Sequence, residues 1–234
     1  MLERLHAMLK GLERRARGSF GRDMSTPWGR ALVWLNFNLF DHAFLRTFWT
    51  NFDKVADGVY RSNHPGPRRL ARWKADGIKG VLNLRGANKA PPWLLEKGAC
   101  DRLGLDLRVA KIYARKAAQP DELLSLIQAM RDMPKPFVMH CKSGADRAGL
   151  AAALYALVID GQPLTEARKH LSWRYLHSRA TRTGIVDHIL DHYEARADQD
   201  KSFEDWLRSD YDPAIVKQSF RRLPRGTAGE GRIA

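Results

Sequence analysis

Apolar and polar residues change rhythm twice along the chain. Residues 1–17, MLERLHAMLKGLERRAR, set Leu2, Leu5, Leu9 and Leu12 at helical spacing, with Glu3, Arg4, Lys10, Arg14 and Arg17 largely on other faces. This predicts a short basic amphipathic helix. We read it first as packing on the domain or a partner, and second as a peripheral contact with an anionic membrane. After a Gly- and Pro-containing break, residues 27–50 read as a second helix. It is rich in aromatics (Trp28, Trp34, Phe37, Phe40, Phe44, Phe48 and Trp49), which the reading assigns to the core. From about residue 55 the period shortens. VADGVYRS predicts a hairpin turning at Asp57-Gly58. GVLNLR, LDLRVAKIY and PFVMH predict further strands, separated by helical stretches at GPRRLARWKADG, PPWLLEKGACDRLG and QPDELLSLIQAMRDM.

Strands alternating with helices imply an α/β fold. The expected form is a central, mostly parallel sheet of four to five strands flanked by helices, with extra N-terminal helices. Beyond residue 160 the chain reads as helical, through PLTEARKHLS, TRTGIVDHILDHYEARA, SFEDWLRSDY and a short helix from Pro213. The tail RRLPRGTAGEGRIA is expected to be disordered. Three parts follow: an N-terminal helical extension (1–50), a catalytic domain (51–198), and C-terminal helices with a basic tail (199–234).

Composition narrows the class. The chain has 234 residues, 44% of them hydrophobic and 28% charged, as in an ordinary globular protein. Two cysteines cannot build a disulfide framework, so a reducing, cytoplasmic setting is expected. The apolar run ALVWLNFNLF (31–40) is too short to span a bilayer. The net charge of +14 favours phosphate-bearing partners without choosing among them.

The chemistry concentrates at residues 137–150, FVMHCKSGADRAGL. A buried strand ends at His140, and RAGLAAALYALVID (147–160) is apolar nearly all round, hence a buried helix. The loop between them therefore sits on a helix N-terminus, where unpaired N–H groups and the positive dipole end face outward. Lys142, Ser143, Gly144, Ala145 and Asp146 separate Cys141 from Arg147. That is enough chain to wrap backbone donors around one tetrahedral anion, with Gly144 relieving the crowding. Arg147 can lay its fork across two phosphate oxygens. A free thiol titrates near about 8.5, and a helix N-terminus with basic neighbours lowers that value. Cys141 is therefore expected to be a thiolate aimed at phosphorus, with no metal required. The competing reading is a buried structural cysteine.

HCKSGADRAG resembles the His-Cys-x5-Arg phosphate loop of the protein tyrosine and dual-specificity phosphatases. VADGVYRSNHPGPRRL followed by GIKGVLNLRG resembles the opening of their compact bacterial members. The resemblance covers about residues 53–195. It implies a cysteine-dependent phosphomonoesterase with Cys141 as nucleophile and Arg147 as phosphate clamp. His140 would position the loop, and residues 142–145 would bind the phosphoryl group. The implied substrates are phosphoproteins, or phosphorylated small molecules or lipids, and no specific nucleic acid is expected.

Two departures matter. The family usually carries Ser or Thr after the arginine, to ease thiolate departure; this chain has Ala148. The family also places an aspartic acid upstream of the cysteine to protonate the leaving group. The matching stretch, YARKAAQPDE (113–122), has no acid in its middle. Asp121 is one candidate, at what reads as a helix start. Asp146 is the other and is put slightly ahead, with bracing of the loop as its alternative role. A third option is a leaving group that needs no acid. With both departures, a phosphate-binding protein of weak turnover is a further alternative.

Other constellations are weaker. His188 and His192 in DHILDH stand one turn apart, but no third ligand is apparent and a solvated face is preferred. Cys100 is read as a small buried residue rather than a disulfide partner of Cys141. Arg61 and Arg85 follow strand-like runs, and bracing of loops is preferred over substrate contact for Arg85. Lys142, Arg115 and Lys116 are candidates for lining the entrance.

Overall fold

The computed structural model describes residues 23–88, 90–196 and 201–223. The predicted helix at 1–17 lies outside them, and so does the predicted disordered tail beyond Leu223; the first two residues of that tail, Arg221 and Arg222, instead end a helix. Five short strands form one sheet in the order β1-β2-β5-β3-β4. They are β1 (Asp53–Ala56), β2 (Val59–Ser62), β3 (Gly80–Asn83), β4 (Asp106–Val109) and β5 (Phe137–His140). Only β1 and β2 pair antiparallel, through the Asp57-Gly58 turn, where Gly58 takes a φ of +68°. The pairs β2·β5, β3·β5 and β3·β4 are parallel. The mostly parallel sheet read from the sequence is thus the observed one.

Central β5 is buried throughout, as its apolar run requires. Its residues alternate between two cores. Phe137 and Met139 face a large cluster built with α4 (Pro120–Arg131), α5 (Asp146–Leu154) and α7 (Ile185–Arg196). Val138 faces a smaller one formed with α2 (Pro67–Ala75) and α3 (Pro91–Leu103). Cys141 belongs to the first cluster and Cys100 to the second, so the sheet lies between two free thiols. Burial pushes the Cys100 thiol up to about 12, which makes it inert. After α5 the chain makes one π-helical turn (Tyr155–Ile159) and a short α6 (Leu164–Ala167). Residues Ala148 to Leu154 are all buried, and five of those seven are alanine or glycine, which lets neighbouring segments approach closely. A Cβ at Gly149 would meet the His170 carbonyl oxygen at 2.8 Å.

Both flanking segments pack on this body. Phe203, Trp206 and Leu207 of α8 (Phe203–Ser209) and Val216 of α9 (Pro213–Arg222) join the large core. α1 (Pro27–Leu39) packs on α3 through Val33, Phe37 and Leu95. The predicted helix over 27–50 stops at Leu39, because His42 and Asn51 adopt left-handed backbone and residues 43–47 form only a 3-10 turn. Its assignment to the core is also corrected. Phe37 is buried, but Trp28 and Trp34 are 74% and 57% exposed. No helix among the described residues is long and apolar enough to cross a membrane.

The His188–His192 pair is corrected too. Both rings are buried, not solvated. α9 covers them, and Ser219 Oγ lies 2.9 Å from His188 Nε2 and 2.8 Å from His192 Nε2. Helical spacing identified a shared face, but not what would cover it.

Candidate active site

The loop from Cys141 to Arg147 joins the C-terminal end of β5 to the start of α5. Its shape is imposed from outside, through its carbonyls. Lys142 O accepts from His64 N (3.2 Å) and Ser143 O from Asn51 Nδ2 (2.9 Å). Gly144 O and Ala145 O both accept from the Arg61 guanidinium (2.6 and 3.2 Å). A trans peptide points its C=O and the following N–H to opposite sides. With these four carbonyls bound, the amides of residues 143–146 are directed to the other side of their peptides, where Ala145 N donates to Ser143 Oγ (3.4 Å). No side chain caps α5, so its first-turn amides extend the same surface.

Gly144 carries a φ of +76°, and a Cβ there would approach Asn63 N to 2.7 Å and Asn51 Cβ to 2.8 Å. Only glycine fits. Arg147 is half-buried; its charge bears on Asp146, and among the described residues its guanidinium has no hydrogen-bond or ion-pair partner.

Arg61 is fully buried. Besides its two loop carbonyls it donates to His170 O (2.6 Å), and it lies 3.7 Å above the Tyr175 ring. Burial lowers its pKa, to about 10, so it remains a cation at neutral pH. Asn51 ties the same region together by donating also to Tyr175 O (3.0 Å).

His140 sits beneath the loop in a buried chain. Its Nε2 hydrogen-bonds Glu96 Oε1, Glu96 Oε2 accepts from Asn83 Nδ2, and Asn83 Oδ1 accepts from the amides of Arg85 (2.6 Å) and Gly86 (3.1 Å). The His64 ring meets the His140 ring edge-on at 4.9 Å. Burial holds the His64 pKa well below the usual histidine range, and both its ring nitrogens lack a hydrogen-bond partner. Ligand-type atoms of His64, Glu96 and His140 lie within 4.8 Å of one another. The nearby charges of Arg85, Arg46 and Arg69, which help keep His64 neutral, equally oppose a bound cation.

Asp146, the preferred proton donor from sequence, is committed elsewhere. Its Oδ1 accepts from His177 Nδ1 (2.8 Å), and His177 Nε2 donates to Asp187 Oδ2 (2.6 Å). Burial would raise the Asp146 pKa, but the bonds from His177 and Thr183 hold it below the usual carboxylate range. At neutral pH it is an ionised acceptor rather than an acid. Asp121 is exposed in the first turn of α4, whose start is capped by Glu122 accepting from Gln119 N (2.9 Å).

For His177, burial favours the neutral ring, yet its two carboxylate partners raise its pKa to about 9. A pKa raised in the folded state means a contribution fully present below about 6.5 and lost as pH rises through about 9. Thermal stability is therefore expected to fall between pH 6.5 and 9.5 in the parent protein. In His177→Gln that part of the slope should flatten. Parallel melting profiles of the two proteins across this range would contradict the assignment.

Sequence reasoning missed Asp41. Its buried carboxylate pairs with Arg85 through both oxygens (2.8 and 3.0 Å), with Arg46 (2.7 Å) and with Lys142 Nζ (3.4 Å). Burial would raise its pKa, but these cations hold it below the usual range. Arg85 is thus a brace in this structure, and Lys142 is tied to the N-terminal segment. Arg115 and Lys116 are exposed on the 113–119 connection, and Lys116 Nζ sits over the Tyr113 ring at 4.7 Å. No sequence signal marks Asp41, Asn51 or His177. Glu96 did carry one: it is an acid among the buried residues Pro92, Leu95, Ala99 and Cys100 of α3.

The family model described as the tyrosine phosphatase family matches residues 55–222. No curated protein matches the chain. Among solved structures the chain is similar to P. aeruginosa TpbA, at 18% identity over 74% of this chain and 91% of that one, with a TM-score of 0.48. It is similar to Tk-PTP in its active form at 20% identity, over 63% and 99%, with a TM-score of 0.48. It is also similar to the core catalytic domain of the PP-IP phosphatase SIW14 from S. cerevisiae, at 17% identity over 58% and 83%, with a TM-score of 0.48.

Proposed function

Because the chain belongs to the tyrosine phosphatase family, we propose that it hydrolyses phosphomonoesters through a cysteinyl phosphate on Cys141. The observation that carries this reading is that the carbonyls of residues 142–145, directly after a cysteine, are each bound by another part of the fold, which supports amides facing the other way. The Cys141 thiolate attacks phosphorus in line as the ester P–O bond breaks. Those amides and Arg147 hold the three equatorial oxygens as their charge redistributes. Water then attacks phosphorus, a new P–O bond forms as the S–P bond breaks, and phosphate and the thiolate are released. His140, held by Glu96, fixes the chain entering the loop. Asp146 braces the start of α5 through His177.

The substrate class follows from the acid. Asp146 and Asp41 are ionised and paired, and residues 113–119 contain no carboxyl group. A phenolate, with a pKa of about 10, leaves without a proton far more readily than an alkoxide. Phosphotyrosine and other aryl phosphates are accordingly the favoured substrates. Ala148 offers no hydroxyl to assist the thiolate's departure, so hydrolysis of the intermediate is the slow step. A second reading, a phosphoinositide or inositol phosphate, rests on the net charge of +14 and on Lys142, which stays partly exposed beside the loop while pairing with Asp41.

The test is phosphate release, with chelator present, across phosphotyrosine and phosphoserine peptides, phosphoinositides and inositol phosphates. Aryl phosphates should give a burst of the phenol followed by slower turnover. Acid quenching should leave one phosphoryl group on the peptide containing Cys141. Steady phosphate release without that adduct at any quench time would refute the mechanism, and preferred turnover of phosphoinositides would replace the substrate.

A further inference from the structure

Large apolar side chains are exposed in a strongly uneven way. Among the described residues, nine of the fifteen exposed ones lie between Trp28 and Phe52, and two more are Trp173 and Leu176. Phe48 is 90% exposed and Trp173 72%. Residues 48–53 and 174–175 line one shallow depression, which joins the two segments into a single rim. A scatter of single exposed apolar residues needs no explanation, but a concentration of them in two segments that meet at one depression does.

We propose that the rim formed by residues 44–52 and 173–176 docks on the surface of an anionic lipid bilayer. The backbone beneath it is braced rather than loose: Asn51 is bonded to Ser143 O and Tyr175 O, and Arg46 is paired with Asp41. Trp and Phe presented on a held backbone suit the interfacial region of a bilayer, where a ring can enter without ordering a long side chain. Charge selects the partner. The chain carries +14, so two copies repel each other while an anionic surface attracts each of them. On α1, Trp28, Leu35 and Leu39 fall within about 40° of one another at helical spacing and are all exposed, opposite the buried face of Val33 and Phe37. In sequence, the 22 residues preceding Asp23 carry Arg4, Lys10, Arg14, Arg15, Arg17 and Arg22 against two acids, a composition that anionic lipid attracts. This inference does not depend on the proposed chemistry.

The experiment is co-sedimentation of the full chain with vesicles of phosphatidylcholine alone or mixed with phosphatidylglycerol. The Phe48→Ser/Trp173→Ser double variant is compared with the parent, and neither residue belongs to the catalytic machinery. The parent should bind the mixed vesicles and not the neutral ones, with tryptophan emission shifted to the blue. The double variant should bind at least tenfold more weakly while keeping its melting temperature and its turnover of a soluble aryl phosphate. No binding by the parent, or equal binding by the variant, would overturn the proposal. So would a parent dimer in sedimentation equilibrium that the double variant abolishes, because the rim would then be covered by a second copy.

Discussion

Cys141→Ser is expected to lower turnover of an aryl phosphate by about 10⁴-fold or more, the scale on which removal of a catalytic nucleophile acts. The substitution changes one atom at a buried position, so the fold should persist. An alkoxide nucleophile is far harder to generate at neutral pH than a thiolate, and the loop would still present the same amides. The variant should therefore keep its affinity for a phosphotyrosine peptide while losing turnover. Activity retained within tenfold would show that the phosphoryl group is never carried by the sulfur.

The second large effect is structural. Arg61→Met should cost about 3–5 kcal/mol, since it removes charged hydrogen bonds to the buried carbonyls of Gly144 and Ala145 and to the partly buried His170 carbonyl. For a chain of this size that is a drop of roughly 10 °C or more in Tm. Turnover should collapse further than the lost stability explains, because Gly144 O and Ala145 O would no longer be held and the amides of the loop would relax. Arg61→Lys should recover only part of both losses, because one ammonium cannot span the carbonyls that the planar fork reaches. A Met variant with parental Tm and activity within twofold would mean that the other contacts alone shape the loop.

Much of the fold was legible because its signals are local. Each strand is a short apolar run between turn residues, and alternation with helices left few arrangements open. The loop was legible for the same reason: cysteine, glycine and arginine stand within seven consecutive residues, between a strand and a helix. The chain's own bracing was not. Asn51 reaches Ser143 across 92 residues, Arg61 reaches Gly144 across 83, and Asp41 reaches Arg85 across 44. Polar residues that act at such separations leave no periodic trace. The surroundings of Asp146 were hidden for a related reason: its neighbour in sequence is the arginine, but its hydrogen-bond partner is His177, 31 residues away. The aromatic stretch shows the complementary error: hydrophobicity predicts burial only when something is present to do the covering.

The run of alanine and glycine in α5 has an evolutionary corollary. That helix carries the phosphate loop at one end and is enclosed along the rest of its length, so an added methylene has no free volume to enter and must displace the loop instead. A library of random substitutions selected for catalysis would consequently retain bulky replacements on α8 and α9 more readily than along these nine positions. Lineages of the protein would diverge around this segment and hardly within it.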